Sequence, residues 1–265
     1  MDKAMSDGGT SPAQEPVVLC WRNLRYAEAP VGALRFRPPR VCGLSEQDVQ
    51  LALRPQPPIV APQRPSRLER VTGPMRGVQS EDCLRLTVWA RGDAAGPGAM
   101  PQPVLVWLHG GAWLSGGGGV DWYDGSHWAR ESGIVVVGVN YRLGALGWLA
   151  GDDARHSNLG LQDIAVALRW IATHIARFGG DAQRITLMGQ SAGGENIAAL
   201  LQAAGELPFQ QVIVQSAPLG EPMRGWDEAQ KIRAQVWRNW AVRNWDEARA
   251  LPVEQILAGQ MTPAL

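Results

Sequence analysis

Residues Gly189-Gln190-Ser191-Ala192-Gly193 place a serine between two glycines, each two positions away. The segment RITLM before it reads as a buried strand, and the run after it is helix-forming. A serine at a sharp strand-to-helix turn sits in a strained backbone with its hydroxyl lifted clear of the sheet. Its neighbours at Gly189 and Gly193 must then be tiny. The same turn aims the N–H of Ala192 and the start of the following helix at any negative charge that develops nearby. The chemistry implied is nucleophilic attack of Ser191 on a carbonyl carbon. The bland alternative is a glycine-rich turn with an incidental serine, which the strand–helix context disfavours.

A second stretch, His109-Gly110-Gly111-Ala112-Trp113, follows the apolar run PVLVWL. Small residues let backbone approach a substrate carbonyl and present N–H groups to it, which makes this loop the other half of an oxyanion hole. His109 reads as a prop for the loop rather than as a general base. The tract Ser115–Gly119 lacks both the Lys-Ser/Thr ending of a P-loop and the spacing of a dinucleotide fingerprint. It is expected to be a mobile loop near the mouth of the site.

These residues need a frame. CLRLTVWA (83–90) alternates apolar and polar residues as a half-buried strand does. The runs at 103–109 and 134–140 are short and continuously apolar, as expected of strands buried on both faces, and 184–189 and 211–216 are further candidates for buried strands. GSHWARES between the second and third of these strands reads as a short crossover helix. Leu161, Ile164, Ala165, Leu168, Ile171, Ile175 and Phe178 recur every three or four residues and predict a helix from Leu161 to Phe178, ended by Gly179–Gly180. A further helix should begin at Ser191. Alternating strands and helices imply an α/β architecture with a mostly parallel sheet. Residues 16–75 read as irregular coil and short strands laid over the core, and those from about 227 as amphipathic helices. Residues 1–15 read as a disordered tail and 16–265 as one domain.

The 265 residues carry 25 basic and 25 acidic side chains, and 45% are apolar. Zero formal charge gives no reason to expect nucleic acid or an anionic membrane as partner. Three cysteines without paired spacing suggest no zinc site, and no cofactor or metal is implied. The polar opening lacks the apolar stretch of a secretory signal, so a reduced, cytoplasmic location is expected.

Taken together, RYAEAPVGALRFRPP (25–39), SEDCLRLTVW (80–89), VLVWLHGGAW (104–113), VVVGVNYRLGALGWL (135–149), NLGLQDIAVALRWI (158–171), FGGD (178–181), GQSAGG (189–194) and VIVQSAPLG (212–220) resemble the type-B carboxylesterase family, which includes the cholinesterases. The resemblance implies an α/β-hydrolase fold and a serine esterase acting on small carboxylic esters through an acyl-enzyme intermediate. Ser191 would be the nucleophile. The N–H groups of Gly111, Ala112 and Ala192 would form the oxyanion hole, with Gly110, Gly189, Gly193 and His109 in support. It also implies two ion pairs, Arg35 with Glu81 and Arg142 with Asp163.

The chain departs from the family in three ways. Secreted relatives pair the SEDCL cysteine with one about twenty residues upstream; Ala61 stands there here, so Cys83 is expected to be a buried free thiol. His174 stands where relatives often carry Asn. Relatives are also about twice as long, with their acidic residue and histidine beyond this chain's last residue. His109, His127, His156 and His174 all precede Ser191. The chain is therefore expected to be truncated before the C-terminal strands: a fragment, a truncated product or one half of a split enzyme, with a missing C-terminal half as possible partner and impaired activity by itself. A cholinesterase-like binding module without catalysis is the rival reading.

Overall fold

A computed structural model describes residues 15–261 except 66–68, 70–72, 95, 97, 204 and 221–223. The expected disordered tail therefore lies almost wholly outside the described residues. The chain begins with β1 (Val18–Arg25) and a short helix α1 (Glu46–Ala52), then two brief strands, β2 (Ile59–Val60) and β3 (Val78–Gln79). Helix α1 was hidden among prolines and arginines. Its signal is local: the Ser45 hydroxyl accepts from the Asp48 N–H while the Asp48 carboxylate accepts from the Ser45 N–H, a reciprocal cap.

Then come β4 (Arg85–Arg91), β5 (Gln102–Leu108), α2 (Ser126–Ser132), β6 (Val135–Val139), α3 (Gly144–Trp148), α4 (Leu159–His174), β7 (Gly180–Gln190), α5 (Ala192–Gln202) and β8 (Gln211–Gln215). Six strands form one sheet in the order β1-β4-β6-β5-β7-β8. The four strands from β6 to β8 are parallel, while β4 pairs antiparallel with both β1 and β6. A largely parallel sheet wrapped by helices was expected; the antiparallel margin at β1 and β4 was not visible in the pattern.

The helix expected over 161–178 begins two residues earlier and tightens into a 3₁₀ turn at Ile175–Phe178. Gly179, at φ 81°, ends it. Ile164, Leu168, Ile171, Ile175 and Phe178 are buried in the main core with the inner faces of the strands. After β8 the chain forms α6 (Trp226–Trp240), α7 (Trp245–Ala250) and α8 (Val253–Gly259), whose second core gathers around Val236, Trp240 and Ile256. Among the described residues, no helix is long and apolar enough to cross a membrane.

Two expectations need correction. The run at 211–216 is expected to be a buried strand, yet every residue of β8 is exposed, with Val212, Ile213 and Val214 at 38–41%. Among the described residues β8 lies at the sheet margin with β7 as its one neighbour, so its apolar side chains have no second strand beside them. The Ser115–Gly119 tract is not a loose loop. Gly116–Gly119 are buried. The Gly116 N–H donates to Gln63 Oε1 at 2.8 Å, the Gly118 N–H to Asn140 Oδ1 at 2.8 Å, and Arg22 donates to the Gly119 carbonyl at 2.7 Å. These partners come from distant segments, which a local pattern does not reveal.

Both expected ion pairs are present. Arg35 grips Glu81 through two nitrogens and donates to the Arg249 and Leu251 carbonyls, fastening the C-terminal helices to the segments that follow β1 and precede β4. Arg142 and Asp163 meet at 2.7 Å with side chains 3% and 0% exposed. Cys83 is a buried free thiol in the same core as Ala61, and burial raises its pKa.

Candidate active site

The two motifs leave the carboxyl ends of adjacent parallel strands. In the β5–β7 pairing Leu108 stands opposite Gly189, so His109 and Gln190 continue side by side. This is where a parallel α/β sheet opens its crevice. Ser191 follows β7 and caps α5 at φ 54°, ψ −124°, a region a residue with a Cβ adopts only at a cost. Its side chain makes no capping bond to the helix. Its N–H donates to the Gln215 carbonyl at 2.9 Å, and its carbonyl accepts from the Gly194 and Glu195 N–H groups. By helix geometry the N–H groups of Ala192 and Gly193 have no intrahelical partner and carry the positive end of the dipole.

The flanking glycines are a steric necessity. A Cβ on Gly189 would lie 2.4 Å from the Gly193 carbonyl oxygen, and one on Gly193 would lie 2.1 Å from the Leu108 carbonyl oxygen. The turn thus closes on itself and on the end of β5.

The 109–113 loop is pressed against this turn. A Cβ on Gly110 would lie 3.2 Å from the Ser191 Cβ and 2.9 Å from the Gln190 carbonyl oxygen. Gly111, Ala112 and Trp113 all have positive φ, at 119°, 53° and 58°. Three successive residues in this conformation turn the backbone tightly, and Leu114 and Ser115 donate back to the Gly111 carbonyl at 3.0 and 3.1 Å. Ser191, Ala192 and the glycine loop are therefore brought together, as their motifs require.

His109 is fully enclosed. Its Nδ1 donates to the Gly110 carbonyl at 2.8 Å, and its ring stacks on Tyr141 at 4.4 Å and 6°. Its Nε2 is buried without a partner among the described residues, and neither ring nitrogen bonds Ser191. Burial pushes its pKa down to about 4, against the opposing effect of the Gly110 bond. The imidazole is neutral and structural, a prop for the loop. His127 is exposed on α2. His156 sits between Asp153 at 2.8 Å and Arg37 at 3.2 Å. His174, at the end of α4, packs on Trp170 at 4.7 Å.

His109 makes a pH prediction. Its folded pKa lies below the unfolded value of about 6.5, so its contribution to stability is fully present above 6.5 and is lost as pH falls toward about 4. The loss is on the order of 3 kcal/mol. Urea midpoints measured between pH 7 and 4 should fall more steeply for the wild type than for His109→Gln. Parallel curves would mean that His109 protonates as easily folded as unfolded.

Comparison with known proteins gives the family. The model of the carboxylesterase family matches residues 8–251. The chain is 43% identical over 250 residues to the probable N-octanoylanthranilate hydrolase AqdA2 of Rhodococcus erythropolis, covering 93% of this chain and 52% of that protein. It is 38% identical over 204 residues to the para-nitrobenzyl esterase of Bacillus subtilis (strain 168), covering 74% and 39%. Among solved structures it superposes on a PNB esterase with a TM-score of 0.76 at 35% identity, covering 92% of this chain and 49% of that one. The chain thus spans about half the length of the relatives it matches. With the family model matched across nearly all of its length and the serine turn built as described, this chain belongs to the carboxylesterase family.

Proposed function

We propose that this chain is the nucleophile-bearing part of a serine carboxylic-ester hydrolase. One observation carries the reading: Ser191 at φ 54° between β7 and α5, with the 109–113 loop against it. A binding role needs no strained serine at a strand end. In the reaction Ser191 Oγ attacks the ester carbonyl carbon and its proton passes to a base. The carbonyl oxygen becomes an oxyanion held by the N–H groups of Gly111, Ala112 and Ala192. Collapse expels the alcohol, and water then attacks the acyl-enzyme to release the acid and restore the serine. Gly110, Gly189 and Gly193 keep the backbone close, and His109 supports the loop.

Neither ring nitrogen of His109 reaches Ser191, His127 is exposed on α2, and His156 and His174 are engaged elsewhere. We therefore assign the acid and base to sequence outside these residues, in a C-terminal half whose strands would extend the sheet beyond β8. The exposed β8 edge and the half-length match to relatives support this. The free Cys83 thiol, with Ala61 in place of a disulfide partner, supports a reducing, cytoplasmic location.

The test is covalent labelling. A fluorophosphonate carries its own leaving group and so needs little help from a base. Incubated with the chain, it should add to Ser191, as read by peptide mass spectrometry, and Ser191→Ala should lose the adduct. Equal labelling of the variant, or an adduct on another residue, rejects Ser191 as the nucleophile.

A further inference from the structure

Trp113 immediately follows Ala112, and its indole Nε1 donates to Asn196 Oδ1 at 2.9 Å across 83 residues of sequence. Asn196 lies on α5, the helix that Ser191 caps, and is 2% exposed. The Trp113 carbonyl accepts from the Gly144 N–H at 2.7 Å, and the indole packs on Trp148 at 5.7 Å. The Asn196 carboxamide also lies beside the Tyr141 hydroxyl. That hydroxyl donates to the His109 carbonyl at 2.7 Å. One buried side chain on the serine's helix thus holds the far end of the glycine loop directly and stands against the tyrosine that holds its near end.

Burying a carboxamide is costly unless its polar atoms are used. Here the oxygen is used, and among the described residues the nitrogen has no partner with good geometry. An apolar residue would fill the space without that cost, so the value of Asn196 lies in the bond to Trp113. Ala112 and Trp113 both sit in left-handed backbone, a conformation that persists only where surroundings impose it.

We propose that Asn196 is a positioning residue for the oxyanion loop: its carboxamide oxygen clamps Trp113 and so fixes the distance between the Gly111–Ala112 backbone and the Ser191 turn. The proposal rests on the assignment of Ser191 as nucleophile. Asn196 does not touch substrate. It acts through Trp113, and the consequence of releasing it is a loop whose N–H groups drift from the developing charge. Displacements of about 1 Å in such sites cost up to about 100-fold in rate.

The experiment uses the full chain and a fluorophosphonate probe, with two readouts: the second-order rate of Ser191 labelling, and the indole N–H resonance of Trp113 in ¹⁵N–¹H spectra. Trp113→Phe identifies that resonance by its disappearance. Asn196→Leu keeps the shape and removes the acceptor; Asn196→Asp keeps an acceptor oxygen in place. Asn196→Leu and Trp113→Phe should each slow labelling roughly 10–100-fold, and the double variant should be no slower than the slower single. The Trp113 indole resonance should move upfield in Asn196→Leu and hold in Asn196→Asp, whose labelling rate should stay within about threefold of wild type. Should Asn196→Leu fail to fold, Trp113→Phe and Asn196→Asp decide alone. Unchanged labelling in Trp113→Phe, additive losses in the double variant, or an equal loss in Asn196→Asp and Asn196→Leu would overturn the clamp while leaving Ser191 as nucleophile. Equal labelling of Ser191→Ala would remove the nucleophile assignment and the clamp with it.

Discussion

Purified as this chain, the protein is expected to hydrolyse p-nitrophenyl butyrate no more than about 10³–10⁴-fold above water, the residue left when a member of a serine triad is missing. On the proposed reading the hole and the strained serine supply this remainder, and the group that takes the Ser191 proton during attack and returns it to the departing alcohol belongs to sequence outside these residues. His109 cannot do so from its place in the fold. Its Nδ1 is committed to the Gly110 carbonyl, its ring is stacked on Tyr141, and burial keeps it a weak base. The measurement is steady-state turnover of the wild type beside Ser191→Ala. Turnover matching that of the double-length relatives, and lost in Ser191→Ala, would show that a histidine within the chain already serves as base. His109→Gln would then identify or dismiss the nearest of the four.

The second large effect concerns the frame. Asp163→Ala should destabilise the fold by about 3–5 kcal/mol, because it leaves the Arg142 guanidinium buried without its counter-charge. Burial by itself would lower the pKa of Arg142; the Asp163 carboxylate reverses this and raises it, so the arginine stays charged in the core. The carboxylate also accepts the Arg142 backbone N–H at 3.1 Å, and the guanidinium reaches the Arg37 carbonyl at 2.7 Å. The pair therefore joins α4, the segment after β6 and the N-terminal wrapping at one point. Urea unfolding followed by far-UV circular dichroism reads the loss. The double variant Arg142→Met/Asp163→Leu should lose less than Asp163→Ala, since it removes both charges together. A loss below about 1 kcal/mol for Asp163→Ala, the range of an exposed pair, would mean that water reaches Arg142.

Much of the site could be read from the sequence because its constraints are local. The serine turn needs two glycines at fixed offsets, and Gly189 and Gly193 stand where a Cβ would strike backbone. The periodic stripe on α4 faces the core as expected. Features that depend on distant partners were not legible. Gly116–Gly119 looked loose because nothing nearby in sequence holds them, yet Gln63, Asn140 and Arg22 do. β8 looked like a core strand because Val-Ile-Val suits one, and only its place at the margin of the sheet exposes it. The bond from Trp113 to Asn196 joins two motifs that each looked complete without it.

The bond from the Ser191 N–H to the Gln215 carbonyl ties the serine turn to the last residue of that exposed strand. Opening of a marginal strand is the cheapest local unfolding a sheet offers, and amides bonded to it exchange with solvent accordingly. The Ser191 amide is therefore expected to exchange with the opening of β8, although its helix packs against the core. A partner strand seated on β8 would raise the protection of the Ser191 amide without touching the serine. The backbone at Ser191 is thus coupled to the rim of the sheet and to whatever closes it.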